Sequence, residues 1–133
     1  MKKPDMAERS LERRIADSPD DAVAHYRLGV LLLASRDLYR FYAPDDHGVV
    51  ARAEALLHRA VQLVPGRATG QTALGFARDQ LGRPEDALQC FVAARRLDPK
   101  NEVVDVYVPT LLAEMGRERE RWQTSRVSRA GAR

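Results

Sequence analysis

The pattern Ala-x3-Leu/Phe-x2-Ala-x4-Pro returns along this chain at fixed intervals, and those intervals constrain the fold more than any single motif. It reads Ala53, Leu57, Ala60, Pro65 and then, 34 residues later at every position, Ala87, Phe91, Ala94, Pro99. A weaker copy, Ala7, Leu11, Arg14, Pro19, precedes the middle one by 46 residues, and the pairs Leu28-Gly29 and Leu74-Gly75 are separated by the same 46. The excess of 12 over 34 means that one unit has taken in about a dozen extra residues, within 36–48. A period of this length implies supersecondary units stacked in a row, each burying a face that it cannot cover alone.

Hydrophobic spacing assigns helices to the units. Met6, Ala7, Leu11 and Ile15 recur at intervals of three and four over 5–18, and Pro19 stops the run. Asp20 or Asp21 is placed to cap a second helix with an apolar face of Val23, Tyr26, Val30, Leu31, Leu33 and Ala34. A third runs from about Val49 to Val64, with Ala53, Leu56, Leu57, Ala60, Val61 and Leu63 inward and Pro65-Gly66 ending it. A fourth spans about Ala68 to Leu81. Gly82 supplies a left-handed cap there, and Pro84 then stands near the first turn of a fifth helix reaching Leu97. Asp98-Pro99-Lys100-Asn101 turns into a sixth. No segment alternates with period two for long enough to make a strand, so the expected class is all-α.

The spacing and its small residues resemble the tetratricopeptide (TPR) family. The resemblance covers roughly residues 5–116 and is densest over 68–101, where Leu74, Gly75, Gly82, Ala87, Phe91, Ala94 and Pro99 all match. It implies antiparallel helix pairs wound into a right-handed superhelix: an N-terminal half-repeat, two repeats and a degenerate third. In that family the Gly of the first helix faces the first Ala of the second, which here pairs Gly29 with Ala53 and Gly75 with Ala87. Leu57 and Phe91 fill the space between, and Ala60 and Ala94 admit the next unit. A bulky side chain in this seam, as in Gly75→Leu, is expected to cost roughly 1–3 kcal/mol. Three positions depart from the pattern. His25 and Gln71 replace the usual aromatic near the start of the first helix. Pro109 stands where a third Gly is expected, which should kink or delay the sixth helix. The repeat domain is thus expected over 1–116. A polar cap over 117–126 and a basic, disordered end from Ser125 complete the chain.

Composition narrows the functional classes. The net charge of +3 is concentrated at the end: 117–133 carries six Arg and two Glu, so 1–116 carries about −1. The high pI therefore belongs to the tail rather than to the repeat body, and binding of nucleic acid is not expected of the body. The lone Cys90 excludes an internal disulfide and fits a reducing cytoplasm. No leader or membrane span is expected, because the longest apolar stretch near the start, Leu28 to Ala34, is too short. The Arg bias over Lys fits a GC-rich bacterial genome.

No residue cluster has the spacing of a catalytic, cofactor or metal site. His25, His47 and His58 are scattered. Asp45-Asp46-His47 between Pro44 and Gly48 reads as a turn, and Cys90 beside Phe91 reads as a packing residue. No enzymatic activity, cofactor or metal is expected. Leu38, Tyr39, Phe41 and Tyr42 gather three of the chain's eight aromatics in the insertion. They either pack on the domain's own helices or contact a partner.

The resemblance also implies a concave groove lined by first helices, which receives a peptide or protein segment. Carried onto this chain, its candidates are Val23, Tyr26, Arg27 and Val30. The next unit adds Thr69, Thr72, Ala73, Phe76, Asp79 and Gln80, and the third adds Val103, Val106, Tyr107 and Thr110. Family members that grip a C-terminal carboxylate use Lys and Asn at places where Tyr26, Val30 and Ala73 stand here. An apolar surface of this kind takes a hydrophobic segment or is covered by the chain itself. The expected function is a non-enzymatic interaction scaffold with a protein or peptide partner. Two alternatives remain: a structural protein that self-associates through its repeat ends, as a homodimer for instance, and a nucleic-acid-associated regulator acting through the Arg-rich tail around Trp122.

Overall fold

The computed structural model describes residues 6–39 and 47–131, with side chains for 6–34 and 48–117. The order is α1 (Met6–Asp17), α2 (Ala22–Tyr39), α3 (His47–Leu63), α4 (Ala68–Gln80), α5 (Pro84–Leu97) and α6 (Glu102–Gly131), with no strand among the described residues. Each helix packs against its neighbours in sequence, and α2 also touches α4. The result is a row of helix pairs, α2/α3 and α4/α5, flanked by the single helices α1 and α6.

Local chemistry sets the boundaries. Asp21 caps α2, its Oδ1 accepting from the Ala24 N–H at 3.0 Å. That bond, with the Arg14 guanidinium 2.8 Å from Oδ2, holds the Asp21 carboxyl below its ordinary range. At the end of α4, Gly82 takes φ 76°. The Arg83 N–H donates to Arg78 O and the Gly82 N–H to Asp79 O, a Schellman closure that satisfies two terminal carbonyls. Pro84 opens α5, followed by Glu85 and Asp86 in its first turn, with Arg95 and Arg96 in its last, as the helix dipole favours. Asn101 caps α6 through Oδ1, which accepts from Val103 and Val104 N–H at 3.2 and 3.4 Å.

Three apolar clusters sit in sequence along the row. Leu28, Leu32 and Ala53 are joined by Leu11 and Ile15 of α1. Leu57, Ala73, Leu74, Ala77 and Cys90 form the second, and Ala87, Phe91, Ala94, Val104 and Leu111 the third. Close approach explains the glycines. A Cβ on Gly29 would lie 2.6 Å from Leu57 Cγ and 3.3 Å from the Ala53 carbonyl oxygen; one on Gly75 would lie 2.7 Å from Phe91 Cε1. The seam is therefore where the spacing puts it, and Phe91 of α5 fills the space against Gly75. Ala60 and Ala94 are buried beside it.

Three expectations need correction. On α2 the deepest residues are Ala24, Leu28 and Leu32, whereas Val30 is 36% exposed and Leu31 only half-buried. A helix between two neighbours buries two flanks, so no single stripe describes it. Nor does Pro109 delay α6, which begins at Glu102 and continues as one 30-residue helix. Buried Val104 and Leu111, on either side of the proline, seat both halves on α5 and offset the missing N–H. The helix also takes in the polar cap and continues to Gly131, through the end expected from Ser125 to be disordered. Arg, Glu, Gln and Ala there are strong helix formers. The insertion residues 40–46, including Phe41 and Tyr42, and the side chains of Tyr39 and Trp122 lie outside the described residues.

Candidate functional site

A concave groove of about 500 Å³ opens between α2, α4 and the start of α6. Tyr26, Val30, Leu33 and Ala34 form one wall; Thr69, Thr72, Ala73, Phe76 and Gln80 form the floor; Asn101 and Val103 form the far edge. Helical spacing puts these side chains together. Tyr26, Val30 and Leu33 recur at intervals of four and three on α2, as do Thr69, Thr72, Ala73 and Phe76 on α4. The floor is fixed from below. The Thr72 hydroxyl donates to Ala68 O at 2.9 Å and accepts from Asn101 Nδ2 at 3.2 Å, which ties α4 to the cap of α6. Phe76 meets Tyr107 and Phe91 edge-on, with ring centroids 4.7 and 5.4 Å away.

Of the residues expected in the groove, Tyr26, Val30, Thr69, Thr72, Ala73, Phe76, Gln80 and Val103 line it. Val23 is half-buried and outside the lining, and Arg27 and Thr110 are exposed outside it. Val106 is 73% exposed on α6 beyond the edge. Asp79 and Tyr107 are committed elsewhere: the Tyr107 hydroxyl donates to Asp79 Oδ2 at 2.8 Å, and the ring packs beneath Phe76 and Phe91. Burial first, then the bond to Asp79 and its charge, push the Tyr107 phenol up to about 12. The pair is a strut between α4 and α6 and lies outside the groove lining. Leu33 and Ala34, assigned only to the apolar face of α2, were missed as lining residues, and so was Asn101. Its signal was that of an Asx cap after the Pro99 turn, which says nothing about the direction of its amide.

A second polar cluster joins α3, α4 and α5. The Arg78 guanidinium donates Nε to Glu54 at 3.4 Å, Nη1 to Cys90 Sγ at 3.2 Å and Nη2 to His58 Nδ1 at 3.2 Å. Burial raises the Cys90 thiol above its ordinary value although Arg78 opposes the shift. The sulfur thus stays protonated, and it packs among Leu57, Leu74 and Ala77. His25, 8% exposed, shares a hydrogen bond with Pro19 O through Nε2 at 2.9 Å and so latches the α1–α2 turn. Among the described residues, no three His, Cys, Asp or Glu side chains converge to hold a metal ion. Nor is any helix there long and apolar enough to cross a membrane.

No protein-family model matches the chain, and no curated protein does. Among solved structures it is similar to MamA AMB-1, a TPR-like helical-repeat protein. The TM-score is 0.67 at 26% identity, over 85% of this chain and 55% of MamA. The chain therefore spans about half the length of that neighbour. The shared architecture is an all-α, TPR-like helical repeat.

Proposed function

We propose that the protein is a non-enzymatic interaction scaffold that holds a segment of a protein partner along the concave groove. The observation that carries this reading is the preformed apolar groove, braced from behind by the aromatic contacts of Phe76 and the Thr72–Asn101 bond. A surface already in its binding shape spares the entropy of ordering its own side chains, so more of the contact energy remains as affinity. The TPR-like architecture shared with MamA supports the same class of activity. A photo-reactive side chain in place of the exposed Thr69 should cross-link a protein partner in the native host. Val30→Glu with Val103→Glu should abolish that cross-link while far-UV circular dichroism stays unchanged. Cross-linking that survives the double substitution refutes the reading.

One observation favours self-association as a second reading. Val106, and Leu112 at 49% exposure, present apolar surface on the free side of α6. Light scattering over a range of concentrations separates the two, because a scaffold for another protein stays at one mass.

A further inference from the structure

The surface of the groove differs in kind from the rest of the molecule. Charged residues make up 31% of the chain, yet none of the side chains lining the groove carries a charge. Arg27 and Lys100 adjoin lining residues in sequence, but both are exposed and lie outside the lining. The polar atoms within are neutral, and two of the groups are already spent. Thr72 is bonded to Ala68 and Asn101, and the Asn101 carbonyl oxygen is occupied by the first N–H groups of α6. The hydroxyls of Tyr26 and Thr69 have no protein partner among the described residues. A hydroxyl both donates and accepts, which suits the neutral amide and hydroxyl side chains of a peptide. A carboxylate or ammonium seated on this floor would lose hydration and gain no counter-charge, so its binding is penalised.

Resting on the scaffold reading above, we infer that the occupant is an uncharged, apolar stretch of polypeptide recognised by its methyl and aromatic side chains, and not a charged chain terminus. Val30 and Val103 face such a stretch from opposite edges, Phe76 meets it from below, and the hydroxyls of Tyr26 and Thr69 meet its neutral polar side chains. A segment with Leu at helical spacing presents the matching face.

Titration of the full chain with synthetic peptides, followed by fluorescence anisotropy, tests this. The first probe is acetylated and amidated, with Leu at helical spacing and Gln or Ser elsewhere. The others replace two central Leu by Glu, replace them by Lys, or leave a free carboxylate after a terminal Leu. The neutral probe should bind. Either central charge should weaken it by about tenfold or more, and the free carboxylate should bring no gain. Val30→Glu, at a partly exposed position and with unchanged far-UV circular dichroism as its control, should remove binding of the neutral probe and favour the Lys probe. A Glu, Lys or carboxylate probe that binds the unaltered chain as tightly as the neutral one, and still loses binding with Val30→Glu, overturns this inference but leaves the scaffold reading standing. Failure of every probe, charged or neutral, sinks both. Self-association that Val103→Glu abolishes assigns the groove to a second copy and also overturns the inference.

Discussion

Substituting alanine for single glycines separates two opposing effects that the fold places at different positions. At Gly75 a Cβ would stand 2.7, 2.9 and 3.0 Å from Cε1, Cζ and Cδ1 of Phe91. Carbon–carbon contacts are comfortable at about 3.5–4.0 Å, so the ring must retreat by roughly 0.8 Å. Phe91 is fully buried, with Phe76 and Tyr107 each 5.4 Å away centroid to centroid, and has little room to do so. Overpacking of this kind costs about 1–3 kcal/mol. Alanine in place of a helical glycine returns about 0.5–1 kcal/mol. Gly75→Ala should therefore destabilise by roughly 1 kcal/mol net. Gly116, inside α6 with nothing within 4 Å of its would-be Cβ, should gain the helical term alone and stabilise by about 0.5–1 kcal/mol. The difference between the two variants isolates the steric cost, about 1–3 kcal/mol. Urea denaturation at unchanged m measures it. Adding Phe91→Leu should relieve Gly75→Ala, giving a coupling of about 0.5–3 kcal/mol in a double-mutant cycle. If Gly75→Ala proves as stable as Gly116→Ala, the close-approach explanation of the seam is wrong.

Other perturbations test the struts around the seam. Tyr107 titrates near 12 in the folded chain against an ordinary 10, so the folded state holds its proton more tightly. Its contribution is complete below pH 10 and disappears as the pH rises to about 12; Tyr107→Phe should flatten that alkaline loss, followed by tyrosinate absorbance and helicity together. Arg78→Met keeps the packing of the stem but strips partners from half-buried Glu54 and from Cys90, which should cost roughly 1–3 kcal/mol by thermal melt. Pro109→Ala restores a backbone donor in α6 and should raise stability, by up to about 3 kcal/mol. Cys90 should react with a neutral maleimide only as fast as the fold opens, so fast labelling of the native chain would contradict its burial.

The sequence revealed the order of the helices because the seam demands small residues at a fixed period, and a period survives without knowledge of neighbours. Gly82 and Pro84 were legible for a similar reason: a positive φ and a first helical turn are local requirements. The groove was legible only in part. Tyr26, Val30, Thr72 and Phe76 follow from register, but register cannot say that Tyr107 turns its hydroxyl to Asp79, 28 positions away. The same holds for Asn101 and Thr72, and for the Arg78 cluster, whose members come from three helices. Pro109 misled for an energetic reason. A proline's local penalty is visible in sequence, whereas the buried contacts of Val104 and Leu111 that outweigh it depend on α5.

Pro109 has one more effect, felt at the edge of the row. Its register is that of Gly29 and Gly75, the two places where a hydrogen in lieu of a side chain lets the following helix settle down close. A pyrrolidine ring occupies that spot on the outward flank of α6. Lengthening the solenoid at this edge, whether by gene duplication or by grafting on another pair of helices, would first require that ring to be replaced by something no larger than a hydrogen atom.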